Sequence, residues 1–185
     1  MQLLRILDDW ITQIDQGYQV DVIYTDFEKA FDKVPHQRLL NKLKSYGITD
    51  VLLKSIENFL FSRKQCARVN GKFSKGFLVK SGIPQGNILG PIIFLIYIND
   101  LPESCDISRY DANIYLYADD TKVYTTIKNS EDNKTLQAVV NKIKDWSDKW
   151  LLKLNIGKCK VMSYSVRELN IFLYRTTTAN TTLKT

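Results

Sequence analysis

Asn113-Ile114-Tyr115-Leu116-Tyr117-Ala118-Asp119-Asp120-Thr121-Lys122-Val123-Tyr124-Thr125-Thr126-Ile127 sets two adjacent acids between two runs of alternating side chains. The alternation over Asn113 to Ala118 and the β-rich run over Thr121 to Ile127 predict two strands, with Asp119-Asp120 at the tip of their hairpin. An acidic pair at a turn is ordinary turn chemistry. Here the acids end a strand in which Ile114, Leu116 and Ala118 alternate with Tyr115 and Tyr117, as in a buried strand, where unpaired charge is costly. A third acid, Asp26, ends another β-rich run, Val20 to Tyr24, far earlier in the chain. Brought together, such carboxylates repel unless a multivalent cation lies between them. All-oxygen ligands favour Mg²⁺ or Mn²⁺, and two such ions roughly 3.5–4 Å apart can activate an attacking hydroxyl and steady a leaving pyrophosphate.

The elements around these acids follow from spacing. Leu3, Leu4, Leu7, Ile11 and Ile14 mark an amphipathic helix stopped by Gly17. After Pro35, a helix over His36–Tyr46 carries Leu39, Leu40 and Leu43 and closes at Gly47, and another is expected over Thr49–Phe61. Gln65 to Val69 and Phe73 to Val79 flank Asn70-Gly71, which suits a type I′ hairpin turn. Ser81 to Pro91 reads as a Gly/Pro-rich loop that delivers the chain to a buried helix over Ile92–Asp100. Leu136, Val139, Val140, Ile143 and Trp146 stripe a helix over Glu131–Trp146, and a short strand spans Lys160 to Tyr164. The fold class is α+β, an antiparallel sheet carrying the acids on one face, with helices packed behind it on one face.

Composition bounds the rest. With 185 residues, 44% hydrophobic and 25% charged, the chain is expected to fold as one domain or a small pair. Its longest apolar run, Ile88 to Ile98, is broken by Gly90 and Pro91 and falls short of the ~18 residues of a membrane span. Cys66, Cys105 and Cys159 are widely spaced and His36 is the only histidine, which argues against a zinc site or a disulfide framework. The start, Met1 to Trp10, lacks a secretory pattern, so an intracellular location is expected, nucleus or cytoplasm undistinguished. The net charge of +6 is concentrated: between Asn58 and Asn99 lie Arg63, Lys64, Arg68, Lys72, Lys75 and Lys80 and no acid. A basic hairpin of this kind is either a solvated face or a phosphate-facing surface.

Four motifs together carry a family resemblance. Tyr24-Thr25-Asp26-Phe27-Glu28-Lys29-Ala30-Phe31-Asp32-Lys33-Val34-Pro35-His36 resembles the first palm motif of reverse transcriptases of non-LTR, LINE-type retrotransposons. Ser81-Gly82-Ile83-Pro84-Gln85-Gly86-Asn87-Ile88-Leu89-Gly90-Pro91, running on to Leu101-Pro102, resembles the second. Tyr117-Ala118-Asp119-Asp120-Thr121 is similar to the third and Asn155 to Met162 to the fourth. The resemblance implies a polymerase palm over residues 20–165, a remnant of fingers or connecting helix over 1–19 and a degenerate or disordered tail over 166–185. Fingers would be truncated and the thumb absent in a partial chain.

Position by position, the resemblance implies catalytic roles for Asp26, Asp119 and Asp120, with Asp26, the backbone of Phe27 and Asp119 at two Mg²⁺ or Mn²⁺ ions. Phe31 matches the residue under the incoming sugar, Pro84, Gln85 and Gly86 the loop against the nascent base pair, and Lys158 a lysine near the triphosphate. Arg63, Lys64, Arg68, Lys72 and Lys75 would follow nucleic-acid phosphates. Asn87 departs from the Ser usual at its position. The implied partners are an RNA template, a DNA primer and deoxynucleoside triphosphates. Two hypotheses stay open: an RNA-directed DNA polymerase domain, weakly active by itself, or a retrotransposon-derived fragment that folds or binds nucleic acid without catalysis. A nucleotide cyclase, the more distant palm-type option, has no template pair for a Pro84-Gln85-Gly86 loop to meet.

Overall fold

The computed structural model describes residues 2–129, 131–176 and 181–182. In chain order the elements are α1 (Gln2–Asp15), β1 (Gln19–Thr25), α2 (Ala30–Lys33), α3 (His36–Ser45), α4 (Asp50–Leu60), β2 (Lys64–Gln65), β3 (Arg68–Val69), β4 (Lys72–Phe73) and β5 (Phe77–Leu78). Then come α5 (Leu89–Ile98), α6 (Leu101–Ser104), a 3-10 turn (Ile107–Tyr110), β6 (Asn113–Tyr117), β7 (Asp120–Ile127), α7 (Asp132–Trp150) and β8 (Lys160–Tyr164). They fall into two units: Met1–Phe27 with Asp100–Lys149 and Lys153–Thr185, and Glu28–Asn99 with Trp150–Leu152.

The first unit is built on an antiparallel sheet in the order β6-β7-β1-β8. Val20 and Val22 of β1 point to one face, where Ile6 and Trp10 of α1 and Tyr124 of β7 complete an apolar cluster. Trp10 meets Tyr124 edge-on at 5.6 Å and stacks on Tyr164 at 5.2 Å. Asp9 accepts a hydrogen bond from the Tyr124 hydroxyl at 3.0 Å. Asp21, Ile23 and Thr25, which alternate with those valines, are buried as well, so β1, one of the two interior strands, is covered on both faces. The helical stripe of α7 is buried as its spacing predicts, and its Trp146 ring packs 6.0 Å from Phe27, just past the end of β1.

Residues 166–185 look like a frayed tail in sequence, yet the described part is anchored. Tyr174 is buried and donates to Asp21 at 2.6 Å, while Gln19 accepts from the Asn170 amide and donates to its carbonyl. Asp21 also accepts from the Gln19 amide at 2.7 Å, so both of its oxygens are paired inside the protein. The final ten residues hold six threonines and no core pattern; the tether lies upstream of them, in side-chain bonds between residues some 150 positions apart. Residues 177–180 and 183–185 lie outside the described residues.

In the second unit α3 packs on α4 and α5 through Leu39, Leu40, Leu43, Ile56, Leu60, Ile93 and Phe94. Lys42 reaches into this core: its ammonium donates to the Tyr97 carbonyl and lies 3.6 Å from the centre of the Trp150 ring. The basic hairpin forms around Asn70-Gly71, both at positive φ, but as two short ladders, β3–β4 and β2–β5. Between the ladders Ser74 and Ala67 are bonded instead through the Ser74 amide and hydroxyl. Helix α5 begins at Leu89, before the expected start at Ile92. Asn87 explains this, because its side-chain oxygen accepts from the Gly90 amide at 2.6 Å, and Pro91 fits the first turn, where its missing N–H costs nothing. Among the described residues no helix is long and apolar enough to cross a membrane.

Candidate active site

Thr25 of β1 pairs with Thr121 of β7, so Asp26 leaves the sheet at the end where the β6–β7 turn carries Asp119 and Asp120. That turn has only Ala118 and Asp119 between the paired residues Tyr117 and Asp120, and Ala118 takes φ 53°. The left-handed region costs an L residue about 1–2 kcal/mol, a local strain of the kind that collects at functional sites. Antiparallel register thus brings Asp26 to the same sheet end as the adjacent pair Asp119 and Asp120.

The electrostatics of this end are unbalanced. Burial pushes the Asp119 carboxyl above the ordinary aspartate range; its own backbone amide opposes the shift, repulsion from Asp120 and Asp26 adds to it, and Lys158 offsets part of it. Among the described residues, Oδ2 of Asp26 is buried and makes no hydrogen bond, and the hydroxyls of Thr25 and Thr121, the pair that ends the β1–β7 ladder, are likewise unpartnered. The cation facing Asp26 Oδ2 is the Lys158 ammonium, at 3.5 Å. Behind it, the Asn155 amide donates to the Asp26 carbonyl at 2.7 Å, and Phe27 bridges Leu154. Burial also pushes the Cys159 thiol up, so it sits here as a neutral packing group. Among the described residues no three Asp, Glu, His or Cys side chains already stand close enough to hold a metal. A buried carboxylate oxygen without a donor, at the same sheet end as a second desolvated carboxylate, is the kind of hard oxygen ligand that a divalent ion takes. Asp120 also lines a cavity of about 350 Å³ with Leu3, Ile6, Tyr115 and Lys122.

The second unit holds the other expected residues. The loop that begins at Ser81 is laced to the segment after Asp26: Gly82 donates to the Val34 carbonyl at 2.8 Å, Ile83 to Phe31 at 2.7 Å, and the Ser81 hydroxyl to Asp32 at 3.1 Å. Gln85 donates to the Asp32 carboxylate at 3.2 Å, and buried His36 donates through Nε2 to the Gly82 carbonyl at 2.7 Å. Glycine is required at 82, where φ is 91° and a Cβ would come within 2.6 Å of the Asp32 carbonyl oxygen. Phe31 stacks on Phe94 at 4.3 Å. Pro84 and Gln85 join Lys29, Lys33, Arg63 and Lys64 in lining a cleft of about 730 Å³ in which Asp32 is the one acid. Arg68, Lys72 and Lys75 lie outside that cleft, exposed on the hairpin. Lys29, Asp32, Lys33 and His36 all sit inside the first motif, yet no local pattern marks them as functional.

The comparisons with known proteins come to the same place. Residues 6–176 match the family model described as reverse transcriptase (RNA-dependent DNA polymerase). This chain belongs to the reverse transcriptase family. The RNA-directed DNA polymerase from mobile element jockey of Drosophila funebris is 29% identical over 170 residues, which cover 89% of this chain and 18% of that protein. The probable RNA-directed DNA polymerase from transposon X-element of Drosophila melanogaster is 25% identical over 168 residues, again 18% of its length. The chain therefore spans about a fifth of the reverse transcriptases it resembles. Telomerase from Candida tropicalis shares the fold, with a TM-score of 0.64 at 12% identity, covering 99% of this chain and 32% of that one. The α+β palm and the kinship with non-LTR retrotransposon enzymes expected from four short motifs are thus both found.

Proposed function

We propose that this chain carries the nucleotidyl-transfer site of an RNA-directed DNA polymerase, adding deoxynucleotides from their triphosphates to the 3′-hydroxyl of a DNA primer on an RNA template. The observation that carries this reading is the buried, unbonded Asp26 Oδ2 at the same sheet end as the desolvated Asp119. Asp26 and Asp119 would hold Mg²⁺ or Mn²⁺, with Asp120 in support and the Phe27 backbone alongside. Two bound ions supply Lewis-acid activation of the attacking hydroxyl and charge stabilisation at the leaving pyrophosphate.

The remaining work falls to the chain's own residues. β1 and β7 hold the carboxylates in fixed register, so little reorganisation accompanies reaction. Phe31, immobilised on Phe94, offers a rigid apolar face for a sugar, and discrimination against a 2′-hydroxyl follows from its bulk. The Pro84-Gln85-Gly86 loop, tied to Asp32 through Gln85 and preceded by Gly82, which His36 holds, presents backbone and an amide to a base pair. Arg63, Lys64, Lys29 and Lys33 place positive charge along one cleft, and Arg68, Lys72 and Lys75 extend it over the exposed hairpin, for sequence-independent contact with phosphates. Primer extension on poly(rA)/oligo(dT) with Mg²⁺ or Mn²⁺ tests the reading. Extension by the chain that disappears in Asp119→Asn supports it; extension that persists in that variant contradicts it.

A further inference from the structure

Lys158 occupies an unusual position for an exposed lysine, because its backbone is anchored to the residue its side chain faces. The Asn155 amide is bonded to the Asp26 carbonyl, and the turn that follows is closed by the Lys158 and Cys159 amides, both donating to the Asn155 carbonyl, at 2.9 and 3.1 Å. Cys159 is buried, and the next residue, Lys160, enters β8 paired with Tyr24 of β1. The turn is therefore held on both sides by β1 and by Asp26, and it delivers the ammonium to within 3.5 Å of Asp26 Oδ2. Among the described residues Oδ2 makes no hydrogen bond, and this ammonium is the cation that answers its charge. Its field also reaches Asp119, where it favours the ionised carboxylate against burial and the repulsion of two neighbouring acids.

We propose that Lys158 is an internal counter-cation: it holds the acidic sheet end together in the metal-free protein and competes with a divalent ion for Asp26 Oδ2. The proposal rests on the metal-binding reading of Asp26 and Asp119 given above. A doubly charged ion compensates paired carboxylates better than one ammonium does, and the two cations cannot occupy the same oxygen. With 71% of its side chain exposed, Lys158 is free to swing into solvent while its turn stays in place. Lys158 is thus a positioning residue for the empty site and an antagonist of its filling, distinct from any contact with a triphosphate.

The test is Mn²⁺ affinity of the full chain, read from the free-ion electron paramagnetic resonance signal at fixed ionic strength, for the unaltered protein, Lys158→Gln, Lys158→Arg and Asp26→Asn. Lys158→Gln is expected to bind Mn²⁺ about two- to fivefold more tightly, the worth of a partly exposed ion pair, and to melt at lower temperature without metal. Lys158→Arg should stay near the unaltered protein. Equal or weaker Mn²⁺ binding by Lys158→Gln overturns the competition. Unchanged Mn²⁺ binding by Asp26→Asn sinks instead the metal reading of Asp26. In that case the metal-free double-mutant cycle between Asp26→Asn and Lys158→Gln decides the lysine: coupled melting shifts support the counter-cation, and additive ones overturn it.

Discussion

Gly82→Ala isolates the joint between the first motif and the loop that follows the basic hairpin. A methyl at this position would sit 2.6 Å from the Asp32 carbonyl oxygen, so either the loop or the segment carrying Phe31 and Asp32 has to move. Two backbone hydrogen bonds meet there, Gly82 to Val34 and Ile83 to Phe31. Each is worth about 0.5–1.5 kcal/mol net, and the positive φ costs alanine a further 1–2 kcal/mol, for a loss of roughly 2–5 kcal/mol. Gly71→Ala is the matched control: its φ is 80° and a Cβ meets nothing within 4 Å, so only the conformational cost of about 1–2 kcal/mol remains. Equilibrium urea unfolding with unchanged slope reads both values. The expected result is a midpoint for Gly82→Ala well below that of Gly71→Ala. Equal losses at the two glycines would refute the close-packed joint.

Asp119→Asn should raise the melting temperature at pH 7 without divalent ions. The folded-state pKa of Asp119 lies above its ordinary value of 3.8, so its ionised form costs stability, fully above the folded value and not at all below the unfolded one. The advantage of the variant should therefore shrink as pH falls through that window, measured by thermal melts across acid pH. Tyr174→Phe removes a donor to buried Asp21 and should cost about 1–3 kcal/mol in urea unfolding, without which the tail would not be anchored. Arg63→Gln or Lys64→Gln should each lower the salt slope of single-strand binding by about 0.7 in fluorescence anisotropy, whereas Lys134→Gln, on α7, should not.

What was legible in the sequence was what burial dictates locally. The β pattern over Asn113–Ile127 and the stripe from Leu136 to Trp146 place two strands and a helix correctly, but only β7 and the α7 stripe are buried. β6, at the sheet edge, leaves Ile114 and Leu116, with Ala118 just after it, half-exposed, against the buried strand that their alternation suggests. Acids at the ends of two β-rich runs suggest that Asp26 and Asp119 could meet, but no local pattern says that they do; the register of β1 on β7 is what brings both to one sheet end. The early start of α5 was missed because Pro91 was weighed as a breaker while Asn87 was not weighed as a cap. His36, Asp32 and Tyr174 were missed because their partners, Gly82, Gln85 and Asp21, lie 46, 53 and 153 positions away. No local window contains both halves of such a bond.

The carboxylates of Asp26 and Asp119 are proposed to ligate a divalent ion in common. Fe²⁺ with ascorbate and peroxide cuts the backbone close to a bound ion, and the fragments are read by mass spectrometry. Cleavage near residue 26 and near residue 119 together, suppressed by excess Mg²⁺ and lost in Asp26→Asn, is the result predicted here. Cuts near one acid alone, or at both but indifferent to Asp26→Asn, would contradict a shared site.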